Sequence, residues 1–165
     1  MRNVFGSVAL FAAGIGVGMF LMQPSAAQQN RIPGMRLNHV GISVKDLGES
    51  VHFYTQTMGF REAFAVKDKD GKPVLTYLQI NRDTFLELLP SAPDRPVGLN
   101  HIGIWPDEFN TTVTALRERG VKVEDPRTGS TKSIITNLYD PNGARLELVD
   151  FPPESLQRKA IDGWK

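Results

Sequence analysis

Cysteine is absent from all 165 residues. That excludes disulfides, a thiol nucleophile and a cysteine-linked lipid anchor. Charge of one sign is also scarce in any one place. The chain has 19 Lys and Arg against 18 Asp and Glu, and no basic run stands out. Nucleic acid is therefore not an expected partner, because a phosphate backbone is met by clustered cations. No charge block marks a disordered tail. There is no Gly-Lys-Ser/Thr phosphate loop and no Gly-x-Ser-x-Gly nucleophile elbow. Gly14, Gly16 and Gly18 lie in an N-terminal apolar stretch and form no such loop. What remains, 41% hydrophobic with 15 Gly and 11 Pro, suits one compact domain or two small halves sharing a core.

Charge is missing altogether from Val4 to Met22, after a single Arg2. Pro24 breaks that stretch, and Ser25-Ala26-Ala27 supplies small residues where signal peptidase reads. Residues 1–27 are expected to be a secretory signal peptide cleaved after Ala27. The alternative is an uncleaved anchor, since ~20 apolar residues span a bilayer. Gly6, Gly14, Gly16 and Gly18 dilute the hydrophobicity and favour cleavage. Either reading puts the folded part outside the cytoplasm, periplasmic or secreted, and cleavage leaves it with no membrane contact. Residues 28–34 read as a polar leader.

An internal repeat organises the rest. Asn38-His39-Val40-Gly41-Ile42 returns as Asn100-His101-Ile102-Gly103-Ile104, and Leu86-Glu87-Leu88 returns as Leu146-Glu147-Leu148. The offsets are 62 and 60 residues, in the same order. One supersecondary unit therefore occurs twice. Each copy reads as strand, helix and three strands. In the first, Leu37–Val44 alternates, placing Val40, Ile42 and Val44 on one face and His39, Gly41 and Ser43 on the other. Asp46 and Glu49 form a helix N-cap pair, Leu47, Val51, Tyr54 and Met58 make an apolar stripe, and Gly59 ends the helix. Strands are expected over Phe60–Asp68, Val74–Ile80 and Thr84–Leu89. In the second copy, Leu99–Trp105 is a strand and Asp107 caps a helix that stops at Gly120. Strands follow near Lys122–Asp125, Ser133–Leu138 and Arg145–Phe151, the last after the Asp140-Pro141-Asn142-Gly143 turn. The expected class is α+β: two tandem βαβββ modules, 35–90 and 99–151, joined by linker 91–98 into a cupped, mostly antiparallel sheet. Residues 152–165 form a polar extension with a short helix and Trp164.

The alternation carries chemistry. His39 and His101 project from the face opposite the aliphatic one, and so do Glu87 and Glu147. If the halves pair side by side, all four meet in one cup. A carboxylate on a buried face is costly unless it is paired or bound to a metal. Two nitrogen and two oxygen donors without sulfur suit Ni2+, Zn2+, Mn2+, Co2+ or Fe2+. Four protein ligands in an octahedron leave two positions open, as catalytic sites do. Phe85, Leu89 and Trp105 follow the same alternation, as substrate-pocket candidates or as packing between the halves. His52 fits neither pattern and is expected at the surface.

With these segments, and with Phe53-Tyr54, Met58-Gly59-Phe60 and Asp140-Pro141-Asn142-Gly143, the chain resembles the vicinal oxygen chelate superfamily. Its glyoxalase I-like branch is the most similar, over roughly Met35 to Phe151. The resemblance implies one divalent metal ion held by His39, Glu87, His101 and Glu147. It also implies a lyase or isomerase working through a metal-chelated enediolate of a small-molecule substrate. Glu147 is then the first choice of base and Glu87 the second. Bacterial glyoxalase I carries an Arg four residues after the first His and an Asn four residues after the first Glu, which hold glutathione. Ser43 and Ser91 stand there, so a glutathione-independent reaction is expected. The extra His and Tyr of extradiol dioxygenases are missing, since Tyr139 lies too close to the turn. An Fe(II) dioxygenase and an exported binding module without turnover stay as alternatives. The family's habit of pairing admits a homodimer.

Overall fold

The computed structural model describes Ile32 and residues 34–165; the expected signal segment lies outside the described residues. Eight strands form one sheet in the order β2-β3-β4-β1-β5-β8-β7-β6. They are β1 (Met35–Val44), β2 (Arg61–Lys67), β3 (Pro73–Gln79), β4 (Phe85–Pro90), β5 (Gly98–Pro106), β6 (Arg127–Thr128), β7 (Ile134–Tyr139) and β8 (Arg145–Asp150). The helices are α1 (Leu47–His52), α2 (Phe109–Glu118) and α3 (Leu156–Asp162). The second half repeats the first in mirror order about the β1–β5 seam. That seam is antiparallel, whereas β1–β4 and β5–β8 are parallel. The sheet is thus mixed and the class α+β, as the repeat implied.

Period-two alternation separates the two faces. On the outer face, Val44, Leu78, Leu86 and Leu88 pack with Leu47, Val51 and Tyr54 beneath α1. Phe109, Val113, Leu138 and Leu148 do the same beneath α2. On the inner, cupped face, Leu75, Tyr77, Phe85, Val149 and Phe151 pack against Ala160 and Ile161 of α3. The C-terminal extension therefore folds back across the cup.

Three local expectations need correction. The first helix is shorter than expected, giving way to a π-helical turn at Phe53–Thr57. There Thr55 Oγ1 donates to the Val51 carbonyl at 2.8 Å, competing with the backbone ladder. Asp107 does not cap α2. Its carboxylate is held by Arg36 at 2.8 Å, and the N-cap is Glu108, with no side-chain bond. The Lys122–Asp125 strand does not form. Glu124 N donates to the Asn137 carbonyl at 3.0 Å, but the Glu124 carbonyl takes the Thr136 hydroxyl. Pro126, with no N–H, cannot extend the ladder. By contrast Asp46 does cap α1, its Oδ1 accepting from Glu49 N at 2.8 Å.

Leu78 is fully buried between the sheet and α1. Leu78→Ala should lower unfolding free energy by about 2–5 kcal/mol in urea titration. Leu37→Ala, at a 47% exposed site, should change it by less than ~0.5 kcal/mol. Equal losses would mean that the outer-face cluster is not the core.

Candidate metal centre

The β1–β5 register places each histidine opposite a glycine of the other half: His39 with Gly103, and His101 with Gly41. Both glycines are required by close approach. A Cβ on Gly103 would lie 2.0 Å from His39 Cε1, and one on Gly41 would lie 2.2 Å from His101 Cε1. The rings therefore cross the seam over bare backbone. The parallel pairings add Glu87 beside Gly41 and Glu147 beside Gly103. One transverse row reads Tyr77, Glu87, Gly41, His101; the other reads His39, Gly103, Glu147, Asn137.

Three of the four expected ligands, His39, Glu87 and His101, come together, and Glu147 stands beside them. Their exposures are 0% for His39, 6% for Glu87, 3% for His101 and 7% for Glu147. Ligand atoms of His39, Glu87 and His101 lie within 4.8 Å of one another. Glu87 Oε2 is 2.8 Å from His101 Nε2 and 3.4 Å from His39 Nε2. Glu147 Oε2 stands further off, 3.6 Å from His39 Nε2 and 3.9 Å from His101 Nε2.

Hydrogen-bonding groups stand behind both rings. Asn38 Nδ2 donates to the Asp83 carbonyl, which leaves its Oδ1 to accept from His39 Nδ1 at 2.9 Å. Asn100 Oδ1 takes a donor from Arg145 and faces His101 Nδ1 at 2.9 Å. Arg145 Nη2 also lies 2.8 Å from His101 Nδ1. A guanidinium has only donors, so towards Arg145 both Asn100 Oδ1 and His101 Nδ1 are acceptors. Both Nε2 atoms point inward, 2.9 Å apart and within hydrogen-bond distance of each other. Glu87 Oε2 has no hydrogen-bond partner. Two imidazole nitrogens and a buried carboxylate oxygen stand close enough here to share a cation. The donor set therefore fits a divalent metal.

Tyr77 stands over the carboxylates. Burial first, and then the charges of Glu87 and Glu147, hold its phenol well above the usual range, so it stays a donor. Burial alone would raise the Glu87 carboxyl. Its interactions with His101 and His39 outweigh burial and hold it below the ordinary value. A cavity of about 60 Å³ adjoins these groups. Tyr77, Glu87, Glu147 and Gln157 line it, together with Gly129, Ser130 and Thr131. Phe85, Leu89 and Trp105 are on the cup face but outside that wall. They pack in the cluster beneath α3, and Trp105 meets Phe151 edge-on at 4.9 Å. His52 is exposed. Sequence reasoning gave no role to Tyr77, Gln157, Arg145 or the two asparagines. The asparagines carried a signal, since each precedes a repeated His.

The chain belongs to the Glyoxalase/Bleomycin resistance protein/Dioxygenase superfamily, whose pattern it matches over residues 36–148. Metapyrocatechase of Geobacillus stearothermophilus is 25% identical over 134 residues, covering 78% of this chain and 41% of that protein. The probable chloroplastic lactoylglutathione lyase of Arabidopsis thaliana is 28% identical over 128 residues, covering 72% of this chain and 36% of that one. This chain thus spans less than half the length of either. Mitochondrial methylmalonyl-CoA epimerase of Homo sapiens is 28% identical over 128 residues, with coverage of 68% and 72%. Among solved structures, a Streptomyces coelicolor methylmalonyl-CoA epimerase bound to 2-nitronate-propionyl-CoA superposes with TM-score 0.62 at 28% identity. It covers 73% of this chain and 96% of its own. Methylmalonyl-CoA epimerase of Mycobacterium tuberculosis shares the fold, with TM-score 0.60 at 20% identity and coverage of 81% and 95%.

Gly103→Ala should push the His39 ring aside and weaken metal binding by about 10–100-fold, as loss of a ligand's support does. Competitive chelator titration measures this, with circular dichroism of the metal-free protein confirming the fold. Unchanged affinity would mean that His39 does not need the bare backbone to reach a metal.

Proposed function

We propose that this protein is a divalent-metal-dependent enzyme of glyoxalase type. It would be a lyase or isomerase that moves a proton between adjacent carbons of a small oxygenated substrate through an enediolate. The observation that carries this reading is the convergence of two buried imidazole Nε2 atoms, 2.9 Å apart, on the Glu87 carboxylate, 2.8 Å from one of them. His39, Glu87, His101 and Glu147 would hold one Ni2+, Zn2+, Mn2+, Co2+ or Fe2+ ion. When bound, such an ion supplies positive charge to two neighbouring substrate oxygens and lowers the cost of an oxyanion.

The remaining work falls to the chain. Glu87, drawn to within 2.8 Å of His101 Nε2, is the fixed carboxylate. Glu147, at 3.6 and 3.9 Å from the two nitrogens, is held less tightly. It therefore takes the proton from one carbon and returns it to the next. The Tyr77 phenol, kept protonated, donates towards Glu87 and steadies it. The tight inner cup and the serines Ser43 and Ser91 support a substrate free of glutathione.

A second reading has its own observation. Two His and one Glu make the tightest subset, and two His with one carboxylate is the pattern of non-haem Fe(II) oxygenases. Metapyrocatechase is among the relatives. We further propose that the protein acts outside the cytoplasm, on the composition of residues 1–27. A cytoplasmic full-length chain on cell fractionation would rule that out.

Protein purified without a metal-binding tag should carry close to one divalent ion per chain, and His39→Ala should carry none. Glu147→Gln should keep most of the metal while turnover of small dicarbonyl or hydroxycarbonyl compounds falls by about 10²–10⁴-fold. Oxygen uptake with a catechol, and no isomerisation, would favour the Fe(II) reading. A chain that takes up none of the five ions would sink both.

A further inference from the structure

A helix covers the inner, cupped face of the sheet. α3 lies across it, beyond residues 36–148 that match the family. Its seat touches both halves. On the second, Ser133 Oγ donates to Gln157 Oε1 at 2.8 Å, Thr131 Oγ1 donates to Ser133 Oγ at 3.1 Å, and Leu156 N donates to the Thr131 carbonyl at 2.9 Å. On the first, Gln79 Nε2 donates to the Ala160 carbonyl at 3.1 Å, and the Arg61 guanidinium lies over the Trp164 ring at 5.1 Å. Ser155 caps the helix by accepting from Arg158 N at 3.2 Å. Ala160 and Ile161 fill the cup floor against Tyr77, Phe85 and Val149. Gln157 is 2% exposed and forms part of the wall around Glu87 and Glu147.

Beside Tyr77, Glu87, Glu147 and Gln157 the described residues leave a cavity of about 60 Å³. Pockets for drug-sized ligands run to roughly 300–1,000 Å³, and one water takes about 30 Å³ of liquid. We infer that α3 sets the size limit of the site. With Gln157 as its inward residue, α3 admits a compound of about two or three carbons with neighbouring oxygens and shuts out thioesters of glutathione or coenzyme A. This rests on the metal-centre reading above. The exclusion is steric: Gln157 closes the wall beside Glu87 and Glu147, and Ala160 and Ile161 pack in the cluster with Tyr77, Phe85 and Val149. Ser130, which also lines this cavity, is exposed.

The test uses the full chain loaded with Co(II) and two chelators that share one head group and differ in bulk, acetohydroxamate and benzohydroxamate. The Co(II) absorption spectrum reports each. Acetohydroxamate should bind wild type at least about 100-fold more tightly than benzohydroxamate, because a filled site rejects added bulk. Gln157→Ala and Ile161→Ala should each cut that ratio by about tenfold or more, chiefly by tightening benzohydroxamate. Comparable binding of the two by wild type, or a ratio unchanged in both variants, would overturn the inference. Absence of any Co(II) signal would instead be a failure of the metal centre. Hydrogen exchange on the metal-free chain then decides about α3. Protected 156–162 amides, losing protection in Gln157→Ala, support the closed cup. Exchange at the rate of a free peptide overturns it.

Discussion

Everything in this molecule depends on two rings crossing one seam. β1 and β5 pair antiparallel, and at the crossing each half removes a side chain so that the other half can place an imidazole there. Gly41 and Gly103 are not turn residues. They are the space into which His101 and His39 lie. Because the pairing is reciprocal, neither half has a site of its own: each contributes a His, a Glu and a vacancy. A slip of one residue in this register would turn the histidines to the outer face and replace them with the aliphatic residues packed there. The core beneath α1 and α2 thus enforces the register, and the register assembles the ligands.

Much of this was legible in the sequence because two periodicities agree. The repeat announced two equivalent units, and alternation within strands put His39, His101, Glu87 and Glu147 on one face without reference to any tertiary contact. The helix cap at Asp46 was local and therefore readable. Other features were not, and each has a reason. Asp107 has the composition of a cap, but Arg36, far away in the chain, takes its carboxylate. The segment before Pro126 has strand-like residues, yet its hydrogen bonds are diverted to a threonine side chain. The π-helical turn arises from Thr55 bonding back to Val51. Competition of this kind leaves no periodic trace.

The inner face shows the same limit more sharply. Phe85, Leu89 and Trp105 have the alternation of lining residues, and the sheet does put them on the cupped face. What they meet there was decided by α3, a helix of seven residues, too short to declare a period and separated from the cup by the whole second half of the chain. Gln157 belongs to no repeat, so its place beside Glu87 and Tyr77 could be found only in three dimensions. The duplication describes the ligands, and the single extension describes their surroundings. A site built from two equal halves becomes unequal once one helix covers it, and Glu87 and Glu147 stop being interchangeable.

The connection between the halves has a further consequence. Pro90 and Gly98 are joined by a tight turn in which Ala92 and Arg95 exchange backbone hydrogen bonds of 2.9 Å. Arg95 Nε also donates to the Pro90 carbonyl at 3.0 Å. A short tether of this kind holds two half-sites at an effective concentration on the order of millimolar or above. Each half alone offers a bidentate His and Glu pair, a weak chelator by any measure. If both pairs hold the proposed metal, joining them makes one tetradentate ligand that gains affinity from the tether as well as from its donors. Cutting the chain between the halves would turn a unimolecular metal site into a three-body equilibrium among two fragments and an ion, with occupancy that depends on protein concentration.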